Sequence, residues 1–371
     1  MEYIECPNDG VLQEDLNYIA NSNIPLEQLK DRTILVTGAT GLIGSQIIKA
    51  LLCCNRLKKT NIKIIALARS KKKVQEMFGG LLNKEKLTFY FADIVEPITN
   101  DSPIINESID YIIHGASITN SKFFIEHPVE TINISLKGTA NILELAKDKK
   151  VKSMVYLSSM EAFGVTDSNL EYVKEEDLGY IDILNVRSCY SEGKRMSECL
   201  CASYASEYDV PVKIARLAQT FGAGISYTED RVFAQFAKSV INKTDIVLHT
   251  EGKSFGNYCY TRDTVIALLI LLVKGNQGEA YTVSNEESNT TIRNMAQMVA
   301  EEIADGKIKV VFDIPKEKKT LGYAPDVKMH LSSMKMQALG WKPEIGLKEA
   351  YFRMIRSMEN TKLELTNEDK N

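Results

Sequence analysis

A chain of 371 residues, 44% of them hydrophobic, is long enough to bury one large core or two joined domains. Its net charge of −4 gives no basic surface for nucleic acid or anionic membrane. The longest apolar run, Val265–Val273, is too short to cross a bilayer. The seven cysteines form no CxxC pair, and the four histidines are scattered. This offers no metal-ligand spacing and suits a reducing cytosol. The opening residues, Met1-Glu2-Tyr3-Ile4-Glu5, lack the basic-then-apolar order of a signal peptide, so a cytoplasmic protein is expected.

Residues 1–30 are acidic and polar. Val11, Leu12, Leu16, Ile19 and Ile24 predict one or two short helices packed on the main body. Thr33–Thr37 is a short apolar, mostly β-branched run bounded by a glycine turn, the pattern of a buried strand. A helix follows from Ile43 to Cys54. Strands are then predicted at Ile62–Ala68, Leu87–Ala92, Ile109–His114, Ser153–Ser158 and Val212–Leu217. Long helices fall at Val129–Lys147 and Cys189–Tyr208, and Lys71-Lys72-Lys73 reads as a solvated loop. Strands alternating with helices predict an α/β fold, a doubly wound parallel sheet spanning residues 31–217. Beyond 217 the alternation loosens. Helices at Arg231–Ile241, Asp263–Lys274, Ile292–Ile303 and Leu347–Met358 predict that residues 218–358 form mainly a smaller α/β substrate-binding lobe. The polar residues 359–371 read as a disordered tail.

The turn Thr37-Gly38-Ala39-Thr40-Gly41-Leu42-Ile43-Gly44 follows a strand and opens a helix, the context a dinucleotide site requires. Gly38 permits the tight turn, Gly41 lets a pyrophosphate approach the backbone, and Gly44 lets the helix pack on the strand. The first helical residues, Leu42 and Ile43 after Thr40, present free N–H groups to the phosphates. The second strand ends in Arg69, followed by Ser70 and Lys71, where an acid for a bare ribose would stand. A cation there attracts a 2′-phosphate, so NADP is the expected cofactor and NAD the alternative. Asp93-Ile94 ends the third strand, where the carboxylate either holds the adenine amine or caps a turn. His114-Gly115-Ala116-Ser117 closes the fourth with small residues beside the cofactor, and His114 reads as a packed histidine.

Tyr190 and Lys194 are one helical turn apart and share a face. An ammonium and a positive nicotinamide nearby would lower the phenol pKa. A phenolate can then take a hydroxyl proton as the adjacent carbon is oxidised. Ser159, at a predicted strand end, can hydrogen-bond the same oxygen.

With Asp93, His114 to Ser117, Asn133 before Gly138-Thr139, Ser158 to Gly164, Tyr190 to Lys194 and Arg216 to Gly224, the chain resembles the extended short-chain dehydrogenase/reductases, the nucleotide-sugar epimerase/dehydratase family. The resemblance covers about residues 31–358. It implies a catalytic trio of Ser159, Tyr190 and Lys194, with Asn133 supporting the lysine through its helix. It implies a nucleotide-sugar substrate held by Thr119, Ser121, Met160, Gln219, Arg231, Val232 and Arg262, a homodimer built on the two long helices, and a role in making precursors of surface polysaccharides. Glu161 resembles the dehydratase and decarboxylase type, acting either as a base beside a 4-keto group or as a hydrogen-bond acceptor for a substrate hydroxyl. Met160 replaces the acid often found before it, Gln219 replaces an Asn, and Gly256 stands where many relatives have a phosphate-binding Arg. The expected activity is conversion of a nucleotide sugar through a keto intermediate. The alternatives are a net NADPH-dependent reductase of a nucleotide-linked keto sugar and a non-enzymatic dinucleotide sensor.

Overall fold

All five residues of Thr33–Thr37 are buried, as a strand in the middle of a parallel sheet must be. The computed structural model describes residues 4–99, 101–314 and 328–368. Its main sheet is built on β1 (Thr33–Thr37), β2 (Lys63–Ala68), β3 (Leu87–Phe91), β4 (Tyr111–His114), β5 (Ser153–Ser159) and β6 (Val212–Leu217). The second lobe adds β7 (Gln219–Phe221), β8 (Ile246–Leu248), β9 (Phe255–Tyr260), β10 (Ala280–Val283), β11 (Asn285–Thr291) and β12 (Val310–Phe312). The seven-stranded sheet runs in the order β10-β6-β5-β4-β1-β2-β3, and every pairing in it is parallel. Thr37 pairs with both Leu67 and His114, so β1, β2 and β4 end level. The chain order reverses between β1 and β4, and a crevice opens outside their carboxyl ends.

The helices are α1 (Gly10–Asn21), α2 (Leu42–Lys58), α3 (Lys71–Phe78), α4 (Ser121–Glu126), α5 (Pro128–Lys149), α6 (Cys189–Tyr208), α7 (Val232–Asn242), α8 (Thr261–Lys274), α9 (Ile292–Met298), α10 (Met334–Gln337) and α11 (Leu347–Glu368). One apolar cluster joins α1, α2 and α8 to the sheet, and another joins α5 and α6 to it. A third fills the second lobe between α7, α9 and α11.

Among the described residues of the first thirty there are one helix, α1, and one 3-10 turn, Leu26–Gln28. Val11, Leu12, Leu16, Ile19 and Ile24 are buried, as the apolar spacing predicts. Two expectations are corrected and one boundary is refined. Lys71-Lys72-Lys73 is the first turn of α3 rather than a loop, because the Ser70 hydroxyl accepts the Lys73 N–H and caps it. The boundary at 217 does not separate the lobes cleanly. β10 returns to pair with β6, and α8 lies against α2, β5 and β6. The apolar run Val265–Leu272 is therefore a fully buried core helix, only Ile266 keeping slight exposure. Finally, α11 continues through Glu368 across most of the expected disordered tail, a stretch without Gly or Pro to stop it. Residues 369–371 lie outside the described residues.

Candidate active site

The glycine turn after β1 is set by backbone contact. Gly38 has φ +69°, and a Cβ there would stand 2.6 Å from the carbonyl carbon and oxygen of Gly115 and 2.8 Å from the Ala116 nitrogen. Only glycine meets both demands. A Cβ on Gly44 would lie 2.3 Å from the Gly38 oxygen, so Gly44 lets α2 seat on the turn. Gly41 is the N-cap of α2 and is extended, with no side chain capping the helix. The first-turn N–H groups of α2, Leu42 and Ile43 among them, are thus left for an anion. Thr40, Leu42 and Ile43 are half-buried at the mouth of this cradle, and its shape and donors fit a dinucleotide pyrophosphate.

His114 is buried, with Nδ1 2.7 Å from Thr37 Oγ1 and Nε2 3.3 Å from Thr139 Oγ1. Burial, then the Lys194 charge, pushes its imidazole down to about 3. It is a neutral packing residue. Thr37 Oγ1 also accepts the Ala116 N–H at 3.2 Å, fixing the small-residue end of β4. Arg69 lies half-exposed with Nη1 3.9 Å from Asp93 Oδ2, and Asp93 Oδ1 accepts the Val95 N–H at 3.1 Å. Asp93 therefore caps its turn and faces a cation together. Asp93, Val95, Glu126, His127, Asn133 and Ile134 line an open cavity of about 510 Å³, and Ile94 is the buried residue that packs closest to Gly138.

Tyr190 and Lys194 stand one turn apart on α6, both buried. The Tyr190 ring stacks on Phe124 of α4, with centroids 4.5 Å apart and planes 12° apart. Ser159 ends β5, where its Oγ accepts the Glu161 N–H at 3.2 Å. Lys194 Nζ donates to the Leu157 carbonyl at 2.7 Å and sits 5.8 Å from the Tyr190 ring centroid. The Ser197 hydroxyl donates to the Ser135 carbonyl at 2.9 Å, tying α6 to α5. Asn133, expected to support the lysine through its helix and to lie beside the cofactor, lines the same cavity as Asp93.

The expected acidification of the phenol is not a property of the chain alone. Burial is the largest influence and raises the Tyr190 pKa, and the Glu161 charge raises it further. Ser159, Arg187 and Arg231 pull it down. Burial lowers the Lys194 ammonium to about 8, opposed by the Glu198 charge. Glu198 is held by Arg216, with Nη2 to Oε2 at 2.7 Å and Nε 3.1 Å from both oxygens. The sequence reading missed this buried pair beneath the lysine.

Glu161 sits in the turn after β5. Its Oε1 accepts Arg187 Nη2 at 2.9 Å and its Oε2 accepts the Ser191 hydroxyl at 3.1 Å. Arg187 was also missed. Its available signal was a spacing of three residues before Tyr190. Met160 is half-buried on the apolar cluster of Phe163, Val173, Ala218, Met329 and Leu331. Thr119 and Ser121 are exposed where α4 begins. Gln219 is exposed on β7, opposite Tyr258 of β9. Arg231 precedes α7, with Nη2 2.8 Å from Glu229 Oε2 and Val232 beside it. Its charge reaches the phenol.

Arg262, expected on the substrate, is placed elsewhere. It is buried, with Nε 3.1 Å from Asp263 Oδ1 and Nη2 3.1 Å from Glu344 Oε2. Its guanidinium carbon stands 3.9 Å from the Tyr18 ring centroid. These partners make it a strut between α8 and the N-terminal helix. At Gly256, a Cβ would lie 2.3 Å from the Tyr258 hydroxyl, so that tyrosine fills the space where a longer residue would leave the strand.

A model described as the NAD dependent epimerase/dehydratase family matches residues 34–284. Among curated proteins, UDP-glucuronic acid decarboxylase 6 of Arabidopsis thaliana is 29% identical over 321 residues, 85% of this chain and 85% of that protein. UDP-glucuronic acid decarboxylase 1 of Xenopus tropicalis is 26% identical over 331 residues, 88% of this chain and 72% of that protein. Among solved structures, UDP-glucose 4-epimerase of Thermotoga maritima has a TM-score of 0.73 at 20% identity, covering 89% of this chain and 99% of that one. The dTDP-glucose 4,6-dehydratase of Bacillus anthracis, solved with NAD, has a TM-score of 0.73 at 17% identity, covering 90% of this chain and 98% of that one. At these identities the structures speak to the fold.

Proposed function

The chain belongs to the NAD dependent epimerase/dehydratase family, and on that premise we propose that it oxidises C4 of a nucleotide-linked hexuronic acid and releases the C6 carboxyl as CO2. The observation that carries this reading is the pair of side chains just past Ser159, at the end of β5. Glu161 is a carboxylate held by Arg187 and Ser191, while Met160 rests on an apolar cluster. Dehydration needs an acid for the departing hydroxyl, and Met160 has no proton to give. A β-keto acid loses CO2 without one. The C5–C6 bond of the carboxylate breaks, its electron pair passes to the enolate of the C4 ketone, and C5 then takes a proton from water. The curated decarboxylases at 26–29% identity support the same choice.

Tyr190 takes the proton of the 4-hydroxyl, Ser159 orients that oxygen, and Lys194 keeps a positive charge beneath the phenol. After CO2 leaves, Tyr190 returns its proton as the ketone becomes an alcohol again. The turn Gly38–Gly44 would hold the pyrophosphate of a nicotinamide dinucleotide, with Ala116 and Asn133 beside it. When bound, that group supplies a reversible hydride acceptor. Arg69, Ser70 and Lys71 at the end of β2 support NADP over NAD. Thr119, Ser121, Met160, Gln219, Arg231 and Val232 are the proposed substrate contacts. Ile132 and Met196 are exposed on α5 and α6, which supports a homodimer through these helices. The seven free cysteines fit a cytoplasmic setting.

The test is incubation with UDP-glucuronic acid and each dinucleotide, following CO2 and the product mass. The expected product has lost one CO2, with no net change in reduced cofactor. A product of unchanged mass, loss of water, or stoichiometric NADPH consumption overturns the reading.

A further inference from the structure

Arg187 occupies a position to which the proposed reaction assigns no role. It lies in a 3-10 turn, Val186–Ser188, that runs directly into α6. The turn is anchored, since Asn185 Oδ1 accepts the Arg187 N–H at 3.0 Å. From there the side chain makes two contacts that close a ring around the phenol. Nη2 reaches Glu161 Oε1 at 2.9 Å, and the guanidinium carbon stands 4.8 Å from the centroid of Phe124. Phe124 is the residue on which Tyr190 stacks. It is further fixed by the Cys189 thiol, which donates to the Phe124 carbonyl at 3.4 Å. Ser191, the residue after Tyr190, holds the other oxygen of Glu161 at 3.1 Å. One helix start thus carries the phenol and both groups that grip the carboxylate, and that carboxylate is two residues from Ser159.

We propose that Arg187 is a positioning residue: it pins the Glu161 carboxylate to the Phe124–Tyr190 stack, setting that carboxylate's place and balancing its charge beside the phenol. The inference rests on the proton transfer proposed for Tyr190 and on the place of the Glu161 carboxylate beside it. Its physical need is plain, because a carboxylate beside a buried phenol opposes phenolate formation. The charged groups facing the phenol are Glu161 after β5, Arg187 before α6, Lys194 on α6 and Arg231 before α7. Of the three cations, Arg187 is the one that touches Glu161 directly, so it can offset that carboxylate at its source. The Arg187 side chain is mostly buried. Its fixed, planar fork suits this double duty of pairing and stacking, which a lysine ammonium meets only in part.

Four variants test this: Arg187→Met, Arg187→Lys, Glu161→Gln and the Arg187→Met/Glu161→Gln pair. Each is checked for a native melting curve and assayed for product formation with UDP-glucuronic acid. Arg187→Met is expected to lower kcat on the order of 100-fold, the effect of a misplaced catalytic group, with little change in KM. Arg187→Lys restores part of the loss. In the pair, Glu161→Gln costs much less than it does alone, because the charge that Arg187 balanced is gone. A rise in KM at constant kcat would overturn the proposal, since it would make Arg187 a substrate ligand. Multiplicative losses in the pair would also overturn it. The underlying reading has its own control: if Tyr190→Phe keeps its rate, that reading fails whatever Arg187 does.

Discussion

The two ends of the cleft are held together by different physics. At the dinucleotide end, backbone lies on backbone. Gly38 presses on Gly115 and Ala116, and Gly44 presses on the Gly38 oxygen. The second lobe is tied down by polar side chains of β9 and the last helix that reach Asp9 and Asp15 at the start of the chain. Arg353 Nη2 pairs with Asp15 Oδ1 at 2.9 Å, and the Tyr260 hydroxyl donates to Asp15 Oδ2 at 2.6 Å. Ser357 joins Asp9 to the Gly224 N–H, and Gln46 of α2 donates to the Ala223 carbonyl at 2.7 Å. α1 thereby bridges the helix of the dinucleotide turn, the strand β9 and the final helix. Backbone contact admits one residue type and leaves a fingerprint in the chain. A side-chain network can be built from many residue types at arbitrary spacing, and leaves none.

The largest effect separating these two modes is expected at Asp15, which is 1% exposed. Asp15→Ala leaves Arg353 without its buried partner, and should cost about 3–5 kcal/mol of stability in urea unfolding. A change of less than about 1 kcal/mol, the scale of a surface pair, would break the contrast. Next comes Gly38→Ala. The left-handed backbone costs about 1–2 kcal/mol, and overlap with Gly115 adds about 1–3 kcal/mol. A lower melting temperature should accompany loss of dinucleotide binding by calorimetry. Unchanged binding would show that the turn is not a phosphate cradle.

A third test concerns the helix α6 between the two ends. The Lys194 ammonium is lowered to about 8 by burial. The charged form holds below that pH and is lost as pH rises through it. kcat/KM, which reports the free enzyme, should therefore fall above pH 8, and Lys194→Arg should remove that limb. A flat profile to pH 10 would contradict the role of the charge. The smallest effect is at Arg69, which is half-exposed. Arg69→Ala should weaken NADP about tenfold, the worth of one charge-assisted hydrogen bond at such a site. It should leave NAD untouched.

Legibility in the sequence followed the same division. The apolar run of β1, the glycines of its turn and the bounds of β6 and α6 were readable because buried strands and helix periodicity constrain every residue in them. Tyr190 and Lys194 were singled out by their spacing and Ser159 by its place at a strand end, and the structure puts the first two one turn apart on α6 and the third at the end of β5. β10 was not found, since four residues after a loop carry too little pattern to announce that they rejoin a distant sheet. Arg262 was placed on the substrate because the resemblance calls for a phosphate-binding cation and Gly256 stands where many relatives carry it. Beyond the adjacent Asp263, its partners Tyr18 and Glu344 are far away in the chain, and no local pattern encodes them. Arg187 was missed because the segment before it, residues 165–186, has no periodicity to say which way a side chain would turn.

The central claim is that the Tyr190 phenol moves the proton in a reaction on a nucleotide hexuronate. Replacing it by phenylalanine keeps the ring stacked on Phe124 and removes one oxygen. The measurement is CO2 release from UDP-glucuronic acid by Tyr190→Phe beside the unaltered protein, with dinucleotide affinity measured in parallel. The predicted result is a fall in rate of about 10²–10⁴-fold at unchanged affinity. An undiminished rate would contradict the claim.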